Sequence, residues 1–192
     1  MGKSTVRPLV TDLLGDVIEG VELGHLSPVP RFPTKAWRQE CVELAVQRAI
    51  ELDRDGRHLL LSGDPVAAGE VLAAPSADQI DASICLLDAT PEVQMARLRG
   101  RGDPEAPLVH HVAYAEWLRS HAVDPTHVPE VLTANSWQPM RWERWTTVES
   151  GDSRWAMTRL DSSDLDPAEV AQAAAQWCID SFDGRAPIFP RR

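Results

Sequence analysis

Near its beginning the chain carries Gly2, Lys3, Ser4 and Thr5 in succession. A glycine followed by an ammonium group and two hydroxyls at the start of a helix suits an anion, because the unsatisfied amides and the positive end of the helix dipole favour negative charge there. The four residues are the second half of the pattern G-x-x-x-x-G-K-[ST], whose first glycine and preceding strand belong upstream. Taken alone they are equally readable as a solvated terminus. A valine codon GTG read as an initiating Met would turn G-V-G-K-S-T into M-G-K-S-T, so the true start is expected upstream.

Other residues with chemical potential are spread along the chain. Glu19 and Glu22 make the run DVIEGVELGHL acidic at its far end, and Asp64 follows HLLLSG directly. Arg97, Arg99 and Arg101 punctuate PEVQMARLRGRGDP. On a helix Arg97 and Arg101, four apart, share a face that Arg99 does not. His110, His111, His121 and His127 match no common metal-site spacing. Cys41, Cys85 and Cys178 are far apart and odd in number, which fits reduced, packed thiols. Four of the seven tryptophans fall at Trp137, Trp142, Trp145 and Trp155. They either stack on an aromatic ligand or pack a loop onto the rest of the fold.

The elements that must position these groups alternate. Ser4 to Leu14 has helical apolar spacing closed by Gly15, with Pro8 expected to kink the second turn. A short strand is expected in DVIEGVELGHL, and SPVPRFP, with three prolines, is a loop. Thr34 caps the next helix, which Gly56 closes. HLLLSGD and ASICLLDAT are continuous apolar runs of the kind buried on both faces of a parallel sheet. Residues 65 to 80 between them predict a short, poorly ordered helix. Helices are expected in PEVQMARLRGRGDP and VHHVAYAEWLRSHAV, whereas residues 124 to 155 lack a firm period and are expected to be mostly loop. AMTRLDSS is the last strand, and Asp166, Pro167 and Glu169 open the last helix with a capping box.

With 192 residues the chain suits a single domain, 1–192. Its 43% apolar and 25% charged residues are globular values. A net charge of −10 argues against nonspecific nucleic-acid binding, which needs clustered cations, and favours a small-molecule partner. No apolar run reaches the roughly 18 residues that cross a bilayer, and no signal-peptide pattern opens the chain, so no membrane partner and a cytoplasmic location are expected.

In this order GKST, ICLLDATPEVQMARLRGRGD and RLDSSDLDPAEVAQ resemble the P-loop kinases of the nucleoside and nucleotide kinase type, across nearly the whole chain. The resemblance implies an α/β, three-layer P-loop NTPase fold with a parallel sheet whose first strand is missing from this chain. It implies ATP and Mg²⁺ as cofactors and a small-molecule acceptor. Gly2, Lys3, Ser4 and Thr5 would hold the nucleotide, with Lys3 on the β and γ phosphates, Ser4 on Mg²⁺ and Thr5 supporting the α phosphate. Asp64 would bind Mg²⁺ through water. Glu22, with Glu19 as second choice, would accept or orient the acceptor's hydroxyl proton. Arg97 and Arg101 would close over the moving phosphoryl group, within a lid-like segment of about 91–123.

In the usual strand order 2-3-1-4-5 of that fold the absent strand is central, so the resemblance predicts a gap between residues 58–62 and 83–88, or compensation by another segment. The acceptor pocket would be built from residues 19 to 38, where Arg31, Lys35 and Arg38 either bind an acceptor phosphate or are plain surface charge. Two other classes stay open: a nucleotide-binding ATPase or regulatory module without phosphotransfer, and an inactive truncated remnant. LSGD closes an apolar strand and so differs from the helix-opening LSGGQ of transport ATPases, and no guanine-reading N-K-x-D motif occurs.

Overall fold

A computed structural model describes residues 2–63, 66–102 and 104–192. The main elements follow the expected alternation: α1 Lys3–Leu14, β1 Ile18–Glu22, α2 Lys35–Asp53, β2 His58–Ser62, α3 Ala68–Ala73, β3 Cys85–Asp88, α4 Pro91–Gly100, α5 Glu105–Val123, α6 Glu130–Thr133, β4 Thr158–Asp161 and α7 Pro167–Phe182. Local chemistry fixes the helix starts. Thr34 Oγ1 accepts from the Trp37 amide at 3.1 Å at the head of α2. Thr90 caps α4 ahead of Pro91. Asp166 accepts from the Ala168 and Glu169 amides at 2.8 and 2.9 Å, and Glu169 accepts from the Asp166 amide at 2.8 Å, completing the capping box of α7. α1 runs on through Pro8. A proline there removes the amide that would bond the Ser4 carbonyl, while the flanking turns keep their own bonds.

The strands pair in parallel, but as two separate sheets. β1 pairs with β2 from Ile18 opposite His58 to Glu22 opposite Ser62. β3 pairs with β4 from Cys85 opposite Thr158 to Asp88 opposite Asp161. No strand joins β2 to β3 among the described residues, so of the gap or compensation expected between residues 58–62 and 83–88 the structure has the gap.

Helices cover both sides of the strands. On one side Val6 and Val10 of α1 and Val170, Ala171, Ala175 and Cys178 of α7 form a cluster with Leu60, Leu87 and Leu160, one residue each from β2, β3 and β4. On the other, Cys41, Val42 and Val46 of α2 pack with Ala74, Leu61 and Val71. Leu60 and Leu61 thus face opposite layers, as the period-two geometry of a strand demands. α1 lies very close to β1: a Cβ on Gly20 would sit 2.5 Å from Thr11 Cγ2. Only a glycine permits that approach.

The third core includes residues 124 to 155, which are mostly loop as expected and pack as a wall, with Trp145 1% and Trp155 6% exposed. The Trp145 indole donates to the Gly69 carbonyl at 2.8 Å, and that of Trp155 to the His121 carbonyl at 2.8 Å. The short helix expected within residues 65 to 80 is α3, and it is packed instead of poorly ordered, with Ala68, Gly69, Glu70 and Ala73 buried. Small side chains let this helix reach the tryptophan wall, a long-range fit invisible to local periodicity.

Candidate functional site

The N-terminal turn of α1 meets the C-terminal ends of β1 and β2. Gly2 has φ 83°, a left-handed conformation open to glycine at little cost, and its carbonyl accepts from the Thr5 and Val6 amides at 3.0 and 2.8 Å. Among the described residues no side chain caps the helix start. Without a cap from them, the helix N-terminus is in the condition in which it can receive an external anion. Lys3 borders the cleft beside this turn, and Thr5 is exposed.

Three side chains knit the junction. Ser4 Oγ donates to Glu22 Oε1 at 3.1 Å, Arg7 Nη1 donates to Glu22 Oε2 at 2.9 Å, and the same Arg7 nitrogen donates to Ser62 Oγ at 2.9 Å. Two of the expected site residues, Ser4 and Glu22, are thus in direct contact although 18 positions apart. The Arg7 guanidinium, with smaller help from Ser4 and His25, holds the Glu22 carboxyl below the usual carboxylate range. A carboxylate so held is a poor proton acceptor and a good hydrogen-bond acceptor, which favours orienting a hydroxyl over removing its proton.

The other expected residues are distributed differently. Glu19 is gripped by Arg48 of α2 at 2.9 and 2.6 Å, which lowers its pKa and removes it from the Glu22 group. Asp64 lies outside the described residues. Arg97 donates to Ser162 Oγ at 2.8 Å and to the Ser162 carbonyl at 2.6 Å, tying α4 to the end of β4. Arg101 is exposed at the C-terminal cap of α4. Lys35 donates to the Ala134 carbonyl at 2.7 Å, Arg38 to the buried Glu70 at 2.6 Å, and Arg31 lies 5.3 Å over the Phe32 ring. Lys35 and Arg38 therefore hold the wall of residues 130 to 137 and α3 in place.

Two groups went unread in the sequence. Arg7 follows Ser4 by three residues, the spacing that puts both on one helix face, and that was its available signal. Asp88, 3% exposed, closes the apolar run of β3 as Asp64 closes that of β2. Its carboxylate accepts from Arg119 Nε at 2.9 and 3.0 Å and pairs with Arg159 at 2.7 Å, so its charge is fully compensated. Nothing in the local pattern of α5 marks Arg119.

No family model, curated protein or solved structure matches this chain. Among the described residues no helix is long and apolar enough to cross a membrane, and no group of three or more His, Cys, Asp or Glu comes together as a metal site.

Proposed function

We propose that the chain is a nucleotide-binding protein of the P-loop kinase type that transfers the γ-phosphoryl group of ATP to a small-molecule acceptor. One observation carries this reading: the uncapped N-terminus of α1, with Lys3 and Ser4, stands at the C-terminal ends of two parallel strands, against Glu22. Ligands of open parallel α/β sheets bind at that edge, where helix N-termini point.

Mg²⁺ would complete such a site, and the donor chemistry fits. Ser4 directs its hydroxyl proton to Glu22, which leaves its oxygen lone pairs for a hard cation. Bound there, the ion would neutralise charge on the phosphates. Most of its other ligands would be phosphate and water oxygens, as Mg²⁺ prefers. Glu22 would then accept a hydrogen bond from the acceptor hydroxyl and aim it, while Arg7 keeps Glu22 ionised. Lys3 would offer its ammonium to the phosphates. Arg97 and Arg101 remain the cations of the lid reading.

A second reading is binding without transfer. It is favoured by Arg97, whose guanidinium is engaged with Ser162, and by Glu22, whose two oxygens are both engaged. Mg-ATP binding measured by thermal shift, and acceptor-dependent ADP release against a panel of nucleosides, nucleotides and hydroxylated metabolites, separate the readings. Lys3→Ala should abolish both signals with little loss of fold stability, because alanine is the best helix former. A Lys3→Ala protein that binds and releases as the wild type does would end the kinase proposal.

A further inference from the structure

Residues 185–192, which follow α7, turn back along the segment that leads into β3. Ala82 and Phe189 exchange backbone hydrogen bonds at 2.9 and 2.8 Å, the Ser83 hydroxyl donates to the Pro187 carbonyl at 2.8 Å, and the Arg192 amide donates to the Asp78 carbonyl at 3.0 Å. The Phe189 ring meets that of Trp155 edge-on at 5.8 Å and packs with the tryptophan core. The segment is thus fixed to the side of the molecule that carries β3 and β4.

Arg191 reaches to the other side. Its amide and Nε donate to the Asp81 carboxylate at 2.8 and 3.0 Å, while Nη1 donates at 3.2 Å to Asp53, the last residue of α2, the helix that packs on β2. Between β2 and β3, which no strand joins among the described residues, runs a cleft of about 500 Å³. Asp53, Arg57, Asp81 and Arg191 border it. Asp53 and Arg57 stand before the first residue of β2 and Asp81 before that of β3, so these charges mark a mouth at the N-terminal ends of the strands, away from Ser4 and Glu22. The Arg191 guanidinium spans that mouth.

Its grip is of a kind that can let go. The Arg191, Asp53 and Asp81 side chains are 48, 50 and 46% exposed, and ion pairs so placed hold weakly and are screened by salt. We propose that Arg191 is the hook of a releasable clasp, carried by residues 185–192, which closes the cleft at the N-terminal ends of the strands and governs the access of small solutes to it. The fold does not rest on the hook, because Val6, Val10, Ala171 and Ala175 join Leu60 of β2 to Leu87 of β3 in one apolar cluster. Nor does the inference depend on the nucleotide reading.

The chain carries its own reporters. Cys85 and Cys178 both border the cleft, whereas Cys41, fully buried in the α2 and α3 core, does not and reports global unfolding. The test is labelling of the full chain with methyl methanethiosulfonate, read at each cysteine by peptide mass spectrometry. Arg191→Gln should speed labelling of Cys85 and Cys178 by about fivefold and leave Cys41 unchanged, as local opening does. Asp53→Asn, which cuts the link to α2 while the segment stays on Asp81, should speed both by about twofold. KCl at about 1 M, where screening acts within about 3 Å, should speed them in the wild type and add nothing in Arg191→Gln. Equal rates for Cys85 and Cys178 in wild type and Arg191→Gln overturn the inference. So does a rise shared by Cys41, because the substitution would then act on global stability. Wild-type rates in Asp53→Asn also overturn it, since Arg191 would serve only to anchor its own segment.

Discussion

Ser4 and Glu22 are joined by a 3.1 Å hydrogen bond from the serine hydroxyl to the carboxylate, and Arg7 locks the same carboxylate from the next turn of α1. Three elements meet in this one group, since Arg7 also reaches Ser62 at the end of β2. Arg7→Met keeps the apolar stem and removes the charge. It should lower stability by about 1–2 kcal/mol near neutral pH, the scale of hydrogen bonds to a charged group discounted for partial exposure. Glu22 has a depressed pKa in the folded state, so its stabilisation is complete above the unfolded value of about 4.5 and fades as pH falls through the folded value. Urea titrations of both proteins at pH 7 and pH 3 check this. A difference that grows on acidification would contradict it.

Glu22→Gln retains size and one acceptor oxygen but loses the charge. Under the kinase proposal it should slow acceptor-dependent ADP release while Mg-ATP binding changes little, since Glu22 is assigned to the acceptor. Titration calorimetry with Mg-ATP beside steady-state ADP production reads the two separately. A variant that loses nucleotide affinity in proportion to turnover would move Glu22 to the nucleotide side.

His121 is 1% exposed, and neither ring nitrogen has a hydrogen-bond partner among the described residues. It stacks on Trp117 at 4.7 Å and meets the edges of Trp145 and Trp155 at 5.2 and 5.1 Å. Burial, aided by His127 and opposed by Asp124, pushes its pKa down to about 4. The unfolded chain takes up this proton near pH 6.5 and the folded one does not, so stability should be level above that pH and fall between about 6.5 and 4. The loss is on the order of 3 kcal/mol, at 1.36 kcal/mol per pH unit. His121→Phe should flatten that decline. Denaturant midpoints at pH 7 and pH 4.5 that shift equally in wild type and variant would rule the imidazole out.

What the sequence made legible was local. Asp166, Pro167 and Glu169 announce the last helix, and HLLLS and CLLD announce strands covered on both faces, because capping and periodicity act within a few residues. That the tryptophans could pack a loop onto the fold was legible, but their partners were not, since Trp145 reaches Gly69 and Trp155 reaches His121, 76 and 34 positions away. The site divides the same way. Gly2 to Ser4 could be read from a contiguous pattern, whereas the partners of Arg97 and Arg38 are set by which helices pack together.

Arg38 tests that division directly. Its guanidinium donates at 2.6 Å to Glu70, which is fully buried and among the described residues also accepts from the Gln39 side chain at 3.2 Å and the Ala67 amide at 3.4 Å. Gln39 in turn donates to the Leu132 carbonyl and accepts from the Trp137 amide, so the pair anchors α3 and the tryptophan wall to α2. Arg38→Met leaves a buried carboxylate with amide donors alone, and should destabilise the protein by about 3–5 kcal/mol. Removing both charges in Arg38→Met/Glu70→Leu should recover a large part of that loss, because an apolar pair of similar volume often replaces a buried ion pair at little cost. A double-mutant cycle by urea denaturation measures the coupling. If Arg38→Met unfolds at the wild-type midpoint, the guanidinium does not hold the fold together, and the reading of Arg38 as an acceptor-phosphate group returns.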